Sequence, residues 1–405
     1  RNNLLAAVGF LELANAGDFA ANVWNETPVP KYALAMMALG GIAALCMIYF
    51  SVRDGVLSLA NLRALREERR YLQSQRELHL RDANMLRTID CFLDMNTREM
   101  GTELVDRVGM DTLLGFSSLV VGIGTFLAMD GDRHPVLFRA SNLLTGYVGN
   151  TPCVLFGLVN ISWSSWVWAR SKKQQAAALR YVKGSTRIGQ MLRNRTSSIQ
   201  MHAALHGISG IVAGAAAMVT ATMWWGYVVL LPCVITSGLV NLFWRRRVGY
   251  ERPLVAHEIT SIDQDTVLEA LRYADSCCQR IWKGYVLGKD AFTTLVPEAE
   301  SLLCALDFIQ KNNLFEDLCL RLLKDPETSR RLQQTSSASP SSSTDNFAAA
   351  EAPAIDWHQL AAVEDEAWTQ HVLKVARELI NEKALLSFTY QERHLLEVLG
   401  CYMCR

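Results

Sequence analysis

The 405-residue sequence lacks an excess of charge of either sign, because 40 Lys and Arg residues balance 40 Asp and Glu residues. This balance argues against a nucleic-acid partner and against a long acidic tail. Ten cysteines in a chain of this length do not make a disulfide scaffold. The sequence also lacks a P-loop, a Rossmann glycine pattern, a nucleophile elbow, an HExxH pair and a kinase signature. We therefore expect no enzymatic activity and no cofactor.

Long hydrophobic runs dominate the sequence, in which 50% of the residues are hydrophobic. A helix of about 20 apolar residues rises about 30 Å and matches the hydrocarbon core of a bilayer. The run over residues 208–244 is too long for one span, and Trp224 and Trp225 near its middle are typical of a tight turn at an interface. We predict an all-α, polytopic membrane protein with about five transmembrane helices and a cytosolic helical domain. The predicted spans are residues 33–52, 112–129, 143–168, 208–224 and 227–244.

The distribution of Lys and Arg predicts the orientation, because these residues accumulate on the cytosolic side of membrane proteins. They are frequent in residues 53–109 and 170–206 and after the last span, and they are scarce on the other side. The N-terminus is therefore predicted outside or in a lumen and the C-terminus in the cytosol, of either the plasma membrane or an endomembrane. The remaining predicted segments are an exofacial or lumenal N-terminal segment (1–32), a cytosolic helical hairpin (53–111), a short exofacial loop (130–142), a basic cytosolic amphipathic helix (169–207), a cytosolic helical domain (245–333), a disordered serine-rich linker (334–355) and C-terminal helices (356–405).

Residues 4–24 are apolar but contain Glu12 and Asp18. These acids favour an amphipathic surface helix over a sixth span. Because the sequence begins with Arg rather than Met, we also expect that a further piece precedes it.

Two asparagines, Asn150 and Asn160, are candidates for a polar path along the third predicted span. The stretch from Gly149 to Pro152 resembles the unwound patches that line substrate cavities in broken-helix transporters. The favoured alternative is a proline-bent helix in which Asn150 bonds to a neighbouring helix. The interiors of the predicted spans lack charged residues, which argues against an ion-coupled carrier.

Small residues four positions apart let helix backbones approach closely in a membrane. Gly40 and Ala44 in the first span, and Gly210 and Gly214 in the fourth, have this spacing. We interpret them as packing residues within one chain, with a homo-oligomer interface as the alternative.

Residues 170–206 contain many basic side chains and no acid. Each basic residue near an anionic leaflet contributes about 1 kcal/mol of attraction. The candidates for contact with anionic lipid headgroups are Lys172, Lys173, Arg180, Lys183, Arg187, Arg193 and Arg195. The alternative is that they only determine topology. His202 and His206 have a spacing that suits a metal, but no third ligand accompanies them, so we predict no metal site.

Two stretches carry a resemblance to a known group of proteins: REMGTE from Arg98 to Glu103 and NLLTGYVGNTP from Asn142 to Pro152. The chain resembles multi-span integral membrane proteins of filamentous fungi that carry no assigned activity. The likeness extends over residues 30–250. It implies residence in a membrane and assigns no site residues.

These observations favour a non-enzymatic multi-pass membrane scaffold or sensor with cytosolic helical regions that bind other proteins. The expected partners are the bilayer, anionic lipid headgroups and cytosolic proteins that the sequence does not identify. The first alternative is a channel or transporter with a polar path along the third span. A membrane-embedded enzyme that acts on lipid is less favoured.

Overall fold

The structure is a computed structural model that describes residues 19–24, 29–131, 134–182, 186–255, 259–324 and 365–404. These residues lie in helices or in the turns between them, and none of them forms a strand. The all-α prediction is therefore confirmed. The chain divides into two compact units, of which the first comprises Arg1–Leu268 and Arg393–Arg405 and the second comprises Glu269–Glu392.

The first unit contains the long apolar helices. Its first helix is the short α1 (Phe19–Val23). The helices that follow are α2 (Lys31–Leu78), α3 (Ala83–Thr102), α4 (Met110–Ala128), α5 (Pro135–Asn142), α6 (Thr151–Val182), α7 (Arg187–Thr220) and α8 (Gly226–Phe243). Among the described residues, π-helical segments lie at Glu103–Gly109 between α3 and α4, at Leu143–Val148 after α5, and at Trp244–Val248 after α8. Such wide turns are rare and often lie at functional sites.

Four stretches of helix are long and apolar enough to cross a membrane: Lys31–Leu78, Ala83–Ala128, Arg187–Thr220 and Gly226–Val248. Helix α6, which contains most of the predicted third span, is not among them. Its serines, its tryptophans and Asn160 lower its mean hydropathy, and the apolar residues 143–148 belong to a separate π-helical segment. The structure thus supplies four such helices where the sequence predicts about five.

Helix α2 extends well beyond its predicted span and forms an antiparallel hairpin with α3. The turn between them is capped by Asp82, whose side chain accepts from the backbone N–H groups of Asn84, at 3.0 Å, and Met85, at 3.1 Å. An N-terminal cap of this kind satisfies donors that have no partner inside the helix.

The structure differs from the prediction of one basic amphipathic helix over residues 169–207. Residues 169–182 continue α6, and residues 187–207 begin α7. Thr186 caps the start of α7, since its hydroxyl accepts from the backbone N–H of Gly189 at 3.4 Å. These basic residues therefore belong to a pair of helices that continue the apolar segments.

The second unit is a helical bundle with its own hydrophobic core. Its helices are α9 (Gln264–Val286), α10 (Ala291–Leu295), α11 (Leu302–Lys311), α12 (Phe315–Lys324) and α13 (Glu366–Met403), although the first residues of α9 and the last of α13 belong to the first unit. The core includes Ile281, Phe292, Leu306, Leu379 and Phe388. Burial of these side chains supplies the hydrophobic stabilisation of the bundle.

The predicted C-terminal helices over residues 356–405 form one uninterrupted helix, α13, in the described residues. No proline or glycine interrupts it before Gly400, and Phe388 anchors its middle in the core with 1% of its surface exposed. The predicted linker at 334–355 and residues 1–18 of the N-terminal segment lie outside the described residues.

Candidate functional site

A cluster of largely buried charged side chains lies beyond the predicted spans, within the first unit. Helices α2, α6 and α7 extend past their apolar runs, and together with α3 they bring polar side chains together. Residues 249–255, which follow α8, and the last turns of α13 complete the cluster. We call the following residues the arginine cluster: Glu68, Asp94, Arg98, Glu99, Arg170, Arg195, Tyr250, Arg252 and Glu397.

Glu397 is the central acid of the arginine cluster. Its Oε1 atom lies 2.8 Å from Arg98 Nε and 3.2 Å from Arg170 Nη1. The Tyr250 hydroxyl donates to its Oε2 atom at 3.0 Å. Burial alone would raise the pKa of this carboxyl, but Arg98, Arg170 and Arg195 outweigh burial and lower the pKa to about 2. The carboxylate is therefore ionised at neutral pH.

Arg252 binds two acids that come from two different helices. Its Nη1 atom lies 2.6 Å from Glu68 Oε1, and its Nη2 atom lies 2.7 Å from Glu99 Oε2. Glu68 also accepts from Asn96 Nδ2 at 2.8 Å and from the backbone N–H of Val255 at 2.9 Å. Buried charges are tolerated when they are paired and hydrogen-bonded in this way. The contacts fix the chain that follows α8 to both α2 and α3.

Arg195 differs from the other arginines of the cluster, because no acid lies within ion-pair distance of it in the described part of the chain. Its Nη1 atom donates to the backbone carbonyl of Arg247, at 3.3 Å, and to that of Val248. Its Nε and Nη2 atoms are buried and have no hydrogen-bond partner among the described residues. The ring of Tyr250 lies 5.5 Å from the guanidinium carbon, which is a cation–π contact. Arg195 is only 8% exposed, so the cluster contains one buried cation that makes no direct ion pair, with Glu397 as its nearest interacting acid.

A cavity of about 60 Å³ lies beside Arg195. Helices α3, α6, α7 and α13 and two of the π-helical segments contribute to its walls. Two further polar atoms of its lining residues, Trp163 Nε1 and Asp106 Oδ1, are buried without a hydrogen-bond partner among the described residues. Since one water occupies about 10–15 Å³ of such a volume, the cavity holds a few waters or one compact polar group.

His202 and His206 of α7 also line this cavity. Their rings stack with centroids 5.5 Å apart, and His206 Nε2 lies 3.8 Å from Asp106 Oδ1. Within the described ranges, no group of three His, Cys, Asp or Glu residues is placed to hold a metal ion. The two histidines are therefore polar wall residues in this part of the structure.

A second buried ion pair lies next to the apolar helices, at the first π-helical segment. Arg107 pairs with Asp54 of α2, and its Nη1 atom lies 3.1 Å from Glu103 Oε2. Asp111, one turn further on, is buried, and neither of its carboxylate oxygens has a hydrogen-bond partner among the described residues. Asp54, Arg107 and Asp111 all lie just outside the predicted spans. They mark the points at which the apolar parts of α2 and α4 end.

The two asparagines predicted to line a polar path are buried and bonded to helix backbone. Asn150 Nδ2 donates to the carbonyls of Gly146, at 2.9 Å, and Ala217, at 2.7 Å. Asn160 Nδ2 donates to the carbonyl of His206 at 3.0 Å. Neither asparagine lines the cavity. The bonds to Ala217 and His206 connect the α6 side of the bundle to α7. For Asn150 this is the kind of contact that the sequence favours over a polar path.

The predicted packing residues Gly210 and Gly214 lie where α7 contacts α6. A Cβ atom at Gly214 would lie 2.9 Å from the Cα atom of Val154, and one at Gly157 would lie 2.7 Å from the carbonyl oxygen of Gly210. Only glycine permits backbones to approach this closely. This contact is made within one chain.

The other predicted packing pair lies on α2, where Ala44 is fully buried and Gly40 is half-buried. The closest approach is at the next residue, Gly41, where a Cβ atom would lie 2.9 Å from Phe126 Cε2 of α4. The buried face of α2 includes Met37, Gly41 and Ala44. Gly40 therefore lies at the edge of this face.

The basic residues predicted to contact anionic headgroups do not all share one environment. Those that are exposed are Lys172, Lys173, Arg180, Arg187 and Arg193. Lys183 lies outside the described residues. Arg195 follows Arg193 by two positions, which is about 200° around a helix, and this rotation turns it inward. It therefore does not lie on the surface with the rest of the set.

Neither Glu397 nor Tyr250 stands out in the sequence as a site residue. Glu397 lies 227 positions after Arg170, and Arg252 lies 184 positions after Glu68. No motif connects residues that are so far apart in the chain. The nearest signal was the stretch from Arg98 to Glu103, which carries the resemblance to fungal membrane proteins.

Comparisons of the chain with protein-family models, with curated proteins and with solved structures found no match. The resemblance to fungal membrane proteins stays a prediction, and the geometry of the arginine cluster is the basis on which a function can be argued.

Proposed function

We propose that this protein is a non-enzymatic, multi-pass membrane sensor and scaffold. In this proposal its N-terminus lies outside the cell or in a lumen, and its C-terminus lies in the cytosol of either the plasma membrane or an endomembrane. Four apolar helices support residence in a membrane. Alkaline carbonate extraction tests this part, and recovery of the full-length chain in the supernatant would count against it.

We further propose that α6 crosses the bilayer as a fifth span. Its first half packs against the second half of α7, with Gly157 against Gly210. Because that half of α7 is apolar enough to span a membrane, its close neighbour lies at the same depth. An odd number of spans agrees with termini on opposite sides.

The observation that carries the sensor role is the way in which the C-terminal segment completes the arginine cluster. Glu397 near the end of α13 holds Arg98 of α3 and Arg170 of α6. The same uninterrupted helix contributes Leu379 and Phe388 to the core of the second unit. A change in the charge balance of the cluster therefore acts on a helix that the second unit needs for its stability.

The scaffold role is supported by apolar side chains that the second unit leaves exposed at the end of α9. Trp282 is 60% exposed, Val286 is 85% exposed, and Leu287, just after the helix, is 72% exposed. Soluble surfaces rarely expose large neighbouring apolar side chains unless a partner covers them. We infer that this group of residues binds a cytosolic protein.

The test is quantitative cross-linking of the full-length protein in cells, followed by mass spectrometry. We expect a reproducible partner that a Trp282→Ala, Val286→Ser double variant loses and that a Leu303→Ser variant retains. Leu303 is the matched control because it is 59% exposed on a different helix, α11. A sensor also predicts that Glu397→Gln changes the yield of this partner. The absence of any reproducible partner would contradict the scaffold role.

A channel or transporter is the second candidate, and one observation favours it. The cavity borders Trp163 and Ser164, which belong to the helix of the proposed third span. If this candidate is correct, Asn150→Ala or Asn160→Ala alters solute flux in reconstituted vesicles. If the bonds of these asparagines are structural, the variants lower thermal stability, and the vesicles show no flux with or without the substitutions.

A further inference from the structure

We propose that the cavity beside Arg195 binds the phosphate group of an anionic ligand. This inference rests on the proposed sensor function, for which it names the class of ligand. The first observation is the charge balance of the wall. Arg98 and Arg170 lie against Glu397, and Arg170 also lies 3.0 Å from Asp94. Arg195 has no such acid in the described part of the chain.

A buried cation without a direct ion pair is unfavourable, because burial removes its water and the lost interaction is only partly replaced, here by the more distant Glu397 and by backbone carbonyls. The two carbonyl oxygens that accept from Arg195 Nη1 supply only part of this interaction. An anion in the cavity would supply the rest. The unpaired charge of Arg195 therefore points to an anionic ligand.

The second observation is the set of unused hydrogen-bonding atoms. Arg195 Nε and Nη2 are adjacent donors on one guanidinium, and this fork suits two oxygens of one oxyanion. Trp163 Nε1 is a third buried donor without a partner in the described structure. A phosphate group presents three terminal oxygens and so has an acceptor for each donor.

The same wall contains an unused acceptor, Asp106 Oδ1. A phosphate monoester that keeps one proton can donate to it, whereas a carboxylate or a sulfate has no proton to donate at neutral pH. The volume of about 60 Å³ suits a compact group of this size. An ammonium group or a metal ion is disfavoured, because three arginines line the same space.

The phosphate has two chemical sources, a free phosphate or the headgroup of an anionic lipid. Trp244 and Trp163 line the cavity, and tryptophan is enriched where a membrane protein meets the membrane–water interface. A headgroup that enters from the leaflet is therefore as accessible to this wall as a soluble ion. The chemistry of recognition is the same for both.

The experiment uses the full-length protein in nanodiscs and measures thermal unfolding by tryptophan fluorescence. In one arm, inorganic phosphate is titrated at constant ionic strength into discs of phosphatidylcholine. In the other arm, the discs contain phosphatidic acid and the buffer contains no phosphate. We expect at least one arm to raise the unfolding midpoint. A response to inorganic phosphate identifies a soluble ligand, and a response to phosphatidic acid alone identifies a lipid headgroup.

Two variants and one control make the test specific to the cavity. We expect Arg195→Gln to weaken binding at least tenfold, and Trp163→Phe, which removes one donor and keeps an aromatic ring, to weaken it several-fold. Arg193→Gln is the matched control, because Arg193 is exposed on the same helix, and it should bind as the wild type does. If Arg195→Gln does not fold, the test rests on whether Trp163→Phe reduces the ligand-induced rise in the unfolding midpoint.

The proposal is overturned if neither arm raises the midpoint, or if the folded cavity variants respond as strongly as the wild type. Its failure is distinguishable from failure of the proposed function. Loss of phosphate binding with the cross-linked partner retained removes only this inference. Phosphate binding without any partner removes the scaffold role and keeps the site.

Discussion

Replacement of Glu397 by Gln tests the arginine cluster most directly. The substitution preserves the size of the side chain and removes the negative charge that Arg98 and Arg170 share. Loss of one partner from a buried ion pair costs about 3–5 kcal/mol. Arg98 keeps Glu99, 3.3 Å away, and Arg170 keeps Asp94. We therefore expect the free energy of unfolding to fall by about 3 kcal/mol, the lower end of that range.

The assay is reversible unfolding of the full-length protein in detergent, followed by tryptophan fluorescence and circular dichroism. Glu378→Gln is the matched control, because Glu378 is exposed on the same helix. An exposed substitution of this kind changes stability by less than about 0.5 kcal/mol. A Glu397→Gln variant as stable as this control at pH 7 would refute the argument that the cluster depends on this charge.

The pH dependence gives a second measurement on the same variant. The pKa of Glu397 falls from an ordinary value of 4.5 to about 2, because the favourable charges of the neighbouring arginines exceed the opposing effect of burial. A carboxyl whose pKa is lower in the folded state contributes its full stabilisation above pH 4.5 and loses it as the pH falls towards 2. Glu397→Gln should lack this component of acid unfolding, and an unchanged acid profile would contradict the assignment.

Two further predictions concern other parts of the first unit. Burial and the nearby Arg252 lower the pKa of His394 from 6.5 to about 4. The free energy of unfolding should therefore fall by about 3 kcal/mol as the pH falls from 6.5 to 4, because the unfolded chain takes up a proton that the folded protein does not. His394→Gln should flatten that part of a stability–pH curve, and an unaltered curve would contradict this. Gly157→Ala should destabilise the α6–α7 contact by about 1–3 kcal/mol, because its Cβ atom would lie 2.7 Å from the Gly210 carbonyl oxygen. Gly238→Ala, which meets nothing within 4 Å, should be neutral or stabilising by up to about 1 kcal/mol, and equal unfolding midpoints for the two variants would show that the close approach has no energetic effect.

The apolar helices could be predicted from the sequence, because an uncharged run of about 20 residues has, as a helix, the length that matches the hydrocarbon core of a bilayer. The runs that begin near residues 33, 112, 208 and 227 all start within helices that are long and apolar enough to span a membrane, although the predicted span 208–224 extends past the end of its helix at Thr220. The third run was harder to assign, since Pro152 and a π-helical segment divide it. Hydropathy describes composition over a window and does not record where a helix is interrupted.

The arginine cluster was not readable from the sequence. Charged residues on a helix that leaves the membrane usually face water, and nothing in the local pattern around Arg170 or Glu68 distinguishes them from exposed neighbours. Their partners, Glu397 and Arg252, are about 200 positions away. Arg195 was selected for its charge and assigned to a surface, because the pattern gave no information about what packs on that side of α7.

The wide turn that ends the last apolar helix links the end of this helix to two buried or half-buried arginines. Over Trp244–Val248 the backbone N–H of Gly249 reaches back five residues to the carbonyl of Trp244, at 2.7 Å, and the carbonyls of the intervening turn are released. The carbonyl oxygens of Arg247 and Val248 accept hydrogen bonds from Arg195. Those of Arg246 and Gly249 accept hydrogen bonds from Arg393. A shift of this turn by a single residue would therefore withdraw the acceptors of two guanidinium groups together.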